Sequence, residues 1–400
     1  LAPLTMRRAL LVAAAPPAAL SLRLFATAPV FVMLAALVLL WAGPAALAQR
    51  WSPALLAATH LFALGALSMA MAAALWQLLP VVCGVALPCP QAGARCIHAC
   101  LGSGAVLLAA AFLGGWPALF LPAAALLVLG LCCLLGCCLP ALWRMPPTAP
   151  AQVVWAMRLA LLALLAAVTL GATLAWGLAR GLPLPFPALT DTHVLWAGAG
   201  WVGMLTVAVS FQVVPMFQVT PLYPALPARS LAPLILCALL LQSALLLALV
   251  FCAFAALTLR LLWQRKRAPE ATTWFWVLGL ASLLAAAVSW SLVRSPVLLG
   301  VLFLYGFAWS IVTGMLYKIV PFLLWHAWAM QGLDKPVARI GVLMPARQAR
   351  LQLALHAAAL LLLALAALYP AWTRAAGVML YAAAAMLWHQ IAQARAASPK

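Results

Sequence analysis

The sequence predicts an all-α polytopic membrane protein of about twelve transmembrane helices, set in a pseudo-threefold arrangement of four-helix arcs. Three observations lead there. Hydrophobic residues fill 69% of the 400 positions and charged residues only 6%. Apolar runs repeatedly exceed the roughly 20 residues that span a bilayer as helix. One short pattern also returns three times: "LWQLLPVV" (Leu75–Val82), "SFQVVPMF" (Ser210–Phe217) and "LYKIVPFL" (Leu316–Leu323). A spanning segment must satisfy its own backbone hydrogen bonds, and these runs lack the alternation of a lipid-facing barrel, so each is read as helix.

Taken in order, helices are expected over 24–47, 54–83, 96–116, 118–140, 152–180, 191–217, within 230–263, and over 272–294, 296–326, 350–369 and 372–394. The connections are short, so 24–394 reads as one transmembrane domain. It is preceded by a cytoplasmic or interfacial segment, 1–23, and followed by a cytoplasmic tail, 395–400. Aligning Pro80, Pro215 and Pro321 also aligns Gln77 with Gln212 and Lys318, and Trp76 with Phe211 and Tyr317. Twelve residues before each Gln or Lys stands a glycine: Gly65, Gly200 and Gly306. Shared positions at fixed offsets in three spans, around 54–83, 191–217 and 296–326, indicate an internal repeat. The glycine lets a neighbouring helix approach, the proline falls near the helix end, and the Gln or Lys with its aromatic neighbour reads as the far membrane boundary.

Repeat and charge together fix the helix count. Lys and Arg number 22 against three Asp and Glu, a formal charge of +19. With no soluble basic domain this excludes a nucleic-acid partner and points to short basic loops on the cytoplasmic side of a bacterial inner membrane. The three repeat helices face one way, and Arg144, Arg229 and the Arg265–Lys266–Arg267 cluster share a side, only if 230–263 crosses twice, turning near Gln242–Ser243 or Val250. That gives twelve crossings; eleven is the alternative. None of Asp191, Glu270 and Asp334 lies deep in an apolar run, which counts against a proton- or ion-coupled pump.

The histidines are the candidates for chemistry. His60 and His193 stand near the outer starts of the first two repeat helices, in "ATHLFALG" and "DTHVLWAG". An imidazole inside a bundle needs a hydrogen-bond partner or a metal. Both are therefore read as cofactor and metal ligands, with His356 as a further cofactor ligand. His326 and His389 flank Trp325 and Trp388 and are read as boundary residues. Cys96 with Cys100, and Cys133 with Cys137, share helix faces and are soft donors that suit copper, although small apolar filling explains them as well.

The architecture resembles subunit I of the heme–copper oxidases. The segment "THLFALGALSMAMAAALWQLLPVVCG" is similar to the second helix of divergent members of that superfamily, which includes NnrS-type membrane heme proteins. The resemblance implies a low-spin heme at His60. It does not extend to a copper site, because the sixth, seventh and tenth helices lack the expected histidines. The function it implies is heme binding without oxygen reduction, in electron transfer, sensing or assembly of a respiratory complex, with the lipid bilayer and respiratory-chain or heme proteins as partners. No catalytic residue is assigned. The alternative is a permease or metal-handling membrane protein without heme.

Overall fold

The computed structural model describes residues 16–84, 86–144, 150–330 and 343–396. The segment 1–15, the tail 397–400 and the loop holding Asp334 fall outside these residues. Among the described residues all regular structure is helical. The spans are α1 (Ala18–Ala42), α2 (Pro53–Val81), α3 (Pro90–Gly114), α4 (Pro117–Trp143), α5 (Ala151–Arg180), α6 (Phe186–Gln218), α8 (Ala244–Trp263), α9 (Ala271–Leu292), α10 (Pro296–Trp328), α11 (Ala346–Leu368) and α12 (Pro370–Ala396), with the shorter apolar helix α7 (Ala225–Leu240) between α6 and α8. Prolines open α2, α3, α4, α10 and α12, where a missing N–H costs nothing.

The stretch 230–263 is a hairpin. Gln242 adopts φ 49°, and Ser243 caps α8 by accepting the Leu246 N–H at 3.2 Å. Helices α7 and α8 then pack on each other. The turn takes three residues, Leu241, Gln242 and Ser243, and α7 itself is short, 16 residues or about 24 Å of helix. The hairpin places Arg144, Arg229, Arg265, Lys266 and Arg267 at one end of the bundle, which we call the basic end. Arg50, Arg180, Arg294 and Arg374 are at the other. A protease site inserted after Gln242 should therefore be cut from one side of sealed vesicles, and one inserted after Lys266 only from the opposite side. Cleavage of both from the same side would leave eleven crossings.

The arcs are α1–α4, α5–α8 and α9–α12. Helix α4 packs on α5, α8 on α9 and α12 on α1, which closes a ring. The second helix of each arc lies inward, and all three carry the same irregularity. The α-helical ladder widens to π-helix over Leu61–Ser68 in α2, Trp196–Gly203 in α6 and Val301–Trp309 in α10. Each π segment contains the repeat glycine, and each glycine faces the first helix of its own arc. A Cβ on Gly65 would fall inside the Phe31 ring, one on Gly200 would meet Ala163, and one on Gly306 would meet Ser282. A widened turn presents backbone sideways, and glycine lets the neighbouring helix take up that contact. The basic halves of α2, α6 and α10 enclose an apolar central cavity lined by Met71, Leu205, Val209, Ile311 and Met315 among others.

The repeat residues stand near the far end of their helices, but the reading of the aromatics as a lipid-facing belt needs correction. Trp76, Phe211 and Tyr317 are buried inside the bundle, and so is Gln77. Trp76 donates from Nε1 to the Pro90 carbonyl at 3.0 Å, Phe211 meets Tyr223 edge-on, and Tyr317 donates to Gln390. Gln77 donates to Ser21 Oγ at 3.0 Å on α1. Gln212 is half-buried, while Lys318 pairs with Glu270 at the start of α9. These side chains fasten each repeat helix to its neighbours. The boundary tryptophans are others, such as Trp41, Trp143 and Trp263.

Candidate functional site

His60 and His193 lie at the end opposite the basic end, on α2 and α6, where the α-helix gives way to the π segment or shortly before it. Their hydrogen bonds decide their chemistry. His60 Nδ1 is 2.7 Å from the Leu56 carbonyl oxygen one turn earlier, and His193 Nδ1 is 3.1 Å from the Ala167 carbonyl on α5. A carbonyl only accepts, so in each ring Nδ1 carries the proton and Nε2 keeps a bare lone pair. Metal-binding histidines are held this way, with the second ring N–H tied to an oxygen that fixes tautomer and orientation.

The surroundings keep both rings in place. The His60 ring stacks on Phe112 of α3, with centroids 5.4 Å apart. The His193 ring lies over Gly171 of α5, where a Cβ would come within 3.0 Å of Cε1. The two helices that carry the imidazoles are joined further along, where Trp201 of α6 donates to Ser68 Oγ of α2 at 3.2 Å. Just outside the two rings, Arg50 Nη1 meets Asp191 Oδ1 at 2.6 Å, joining the chain that leads into α2 to the first turns of α6. Thr192 takes a long, 3.5 Å contact from Gln242 of the α7–α8 turn. Thus Asp191, Thr192 and His193, consecutive in sequence, tie α6 to three separate elements. Sequence reading found His193 but not this clamp; the adjacent "DTH" was the only local sign of it.

The other candidates lie elsewhere. His356 of α11 is fully buried in the third arc, its Nε2 2.8 Å from Ser310 Oγ and its face stacked on Tyr305 at 4.5 Å. It is not brought to the His60–His193 pair. His98 bonds Thr27 on α1 at 2.9 Å. His326 stacks on Phe322 and His389 is exposed. The cysteine pairs of α3 and α4 come face to face, with Cys96 and Cys100 sulfurs 3.9 Å apart. Cys133 and Cys137, however, turn toward the Gly93 and Pro88 carbonyls. Among the described residues no group of three or more His, Cys, Asp or Glu side chains is gathered to hold a metal ion.

No protein-family model matches the chain, and no curated protein matches it either. What the structure establishes is a multi-span, all-helical membrane protein, in contact with lipid along its apolar outer faces.

Proposed function

We propose that this chain is a membrane heme protein in which Nε2 of His60 and Nε2 of His193 are the nitrogen donors, serving electron transfer, sensing or respiratory assembly rather than oxygen reduction. The observation that carries the reading is the shared tautomer: two neutral imidazoles on neighbouring inner helices, each with Nδ1 tied to a carbonyl and Nε2 unclaimed. Two such nitrogens are of the donor type that would hold a heme iron. They do not supply the additional ligands a separate copper centre would need. A bound heme would contribute a one-electron iron couple. The chain would hold the rings, through Leu56, Ala167, Phe112 and Gly171, and the Arg50–Asp191 clamp would fix the spacing of α2 and α6. By the positive-inside rule the basic end faces the cytoplasm of a bacterial inner membrane, which puts the histidine pair toward the outer side.

The competing reading is a permease or metal-handling protein using the central cavity. That cavity is lined by apolar side chains apart from Thr206, whose hydroxyl is bonded to its own helix. It offers a polar cargo few partners, and stripping water from such a cargo costs several kcal/mol (about 2–7) per unpaired group.

Visible spectra of the protein, purified after growth with heme supplied, separate the two. A Soret band with sharp α and β bands on dithionite reduction is expected, at about one heme per chain by pyridine hemochrome. His60→Ala and His193→Ala should each shift or remove those bands while the protein still inserts. A colourless wild-type protein would discard the heme reading. Bands untouched by either substitution would discard these two ligands.

A further inference from the structure

The third arc differs from the other two in what it buries. Five side chains between α10, α11 and α12 are buried and carry a polar atom with no hydrogen-bond partner among the described residues: Tyr305 Oη, Thr313 Oγ1, Gln352 Oε1, His356 Nδ1 and Gln390 Nε2. An unpaired buried polar group costs about 1–3 kcal/mol, so native bundles pair such atoms with protein or with water.

The register of the helices puts these atoms in a row. Gly306 lies against Leu360 and Ser310 against His356, so α10 and α11 run antiparallel, and one turn further along Gln352 comes level with Gly314, beside Thr313. A further turn along α10, Tyr317 bonds Gln390 of α12. The rungs are therefore Ser310–His356, Thr313–Gln352 and Tyr317–Gln390. Along α10 they are three and then four residues apart, about 4.5 and 6 Å of axial rise, close to the span of a single water making two hydrogen bonds of about 2.8 Å. Tyr305 sits at the upper end, stacked on His356. Below the last rung is Lys318, paired with Glu270 at the basic end.

The pseudo-equivalent positions of the other arcs show that the row is specific to this one. Ser310 aligns with Met69 and Met204, Thr313 with Ala72 and Val207, and Tyr317 with Trp76 and Phe211. Where α6 does bury hydroxyls, Thr206 and Ser210 return them to their own helix, at 2.7 Å to Val202 O and 2.6 Å to Thr206 O; Ser310 of α10 does so only at 3.5 Å, to Tyr305 O, and meets His356 Nε2 at 2.8 Å.

We infer that the α10–α11–α12 interface binds a file of internal waters, leading from the basic end to His356 and forming a route by which protons reach that imidazole. Each orphan takes a place in the file. The hydroxyls of Thr313 and Tyr305 can donate or accept, Gln352 Oε1 accepts, Gln390 Nε2 donates, and His356 Nδ1 ends the row in either tautomer. Among the described residues the other rings facing His356 are Phe275 of α9 and Tyr305 of α10, and no carboxylate is among its neighbours. The inference is independent of any heme at His60 and His193.

Millisecond radiolytic hydroxyl labelling read by mass spectrometry tests it, because radicals made from bound water mark buried neighbours. Tyr305, Tyr317 and His356 should be labelled, while Trp76 and Phe211, equally buried at the aligned positions, should stay unlabelled despite the greater intrinsic reactivity of indole. Thr313→Val and, separately, Gln352→Leu should lower labelling at His356 and Tyr305 to the level of Trp76. Each variant should keep the wild-type elution profile, and either one suffices if the other does not fold. Labelling of His356 no greater than that of Trp76 in the wild type would overturn the water file, as would general labelling of all five residues. Unchanged His356 labelling in a folded variant would do the same.

Discussion

Gly65→Ala should destabilise the bundle by about 3 kcal/mol, the upper part of the range for overpacking a close-packed interior. It should also weaken whatever His60 binds. The new methyl would occupy the space of the Phe31 ring, and the atoms it meets belong to the near end of that side chain, which cannot swing away without moving α1. Gly65 lies inside the π segment Leu61–Ser68 that begins one residue after His60, so a displaced α1–α2 contact re-aims the imidazole. The site effect and the packing effect can be separated. In Phe31→Ala/Gly65→Ala the ring is gone and the methyl has room, so the double variant should recover part of the loss, with an interaction energy of roughly 1–3 kcal/mol in a double-mutant cycle. Gly136→Ala is the control. Nothing lies within 4 Å of a Cβ there, and the helix interior gains about 0.8–1.0 kcal/mol of propensity. Thermal unfolding in mild detergent reads all five proteins: wild type, Gly65→Ala, Phe31→Ala, the double variant and Gly136→Ala. Additive single and double changes would mean that α1 yields at Phe31 and that the glycine is not what sets the approach.

The fold was legible where the signal is local or periodic. Apolar runs gave the spans, and the positions of the basic residues demanded a turn inside 230–263, which the structure places at Gln242–Ser243. A serine N-cap in that run was a turn signal in its own right, hidden because its flanks are uniformly apolar. The repeat glycines were legible as close-approach sites, but their π segments were not, since no residue type dictates an i→i+5 ladder. The facing of these residues was misjudged, not their place along the helix. Counting residues along α2 puts Trp76 and Gln77 near the far end of a helix of 29 residues, about 43 Å long, but it does not say which way they point. Whether its last turns meet lipid depends on α1 and α3, which flank them, and no count along one helix contains that. For the same reason the His356–Ser310 and Tyr317–Gln390 pairs were invisible, because their partners lie far apart in the chain and meet only through the register of the arcs. His60 and His193 stood out as rare polar residues. The orientation that makes them candidates, with Nδ1 bound and Nε2 free, comes from Leu56 and from Ala167 of another helix.

Trp76→Ala should be the most damaging single truncation among the repeat residues, at about 3–5 kcal/mol, the cost typical of emptying a fully packed aromatic site. Trp76 has no exposed surface, and its indole fills the space beside Gly93 at the start of α3, so the loss includes dispersion contacts on every side. It also leaves the Pro90 carbonyl without the indole N–H at the point where the chain turns from α2 into α3. Lipid cannot refill such a site from outside, so the penalty does not depend on whether the surrounding medium is apolar. Trp263→Ala supplies the comparison, because that side chain is 81% exposed and its indole faces the boundary. It should change stability by no more than about 0.5 kcal/mol, as for surface substitutions away from special features. Trp76→Phe keeps most of the volume while dropping the N–H, and should fall between the two, nearer to wild type. If Trp76→Ala unfolded at the wild-type temperature, the aromatic of the repeat would belong to the membrane boundary after all, and the α2–α3 junction would need another anchor.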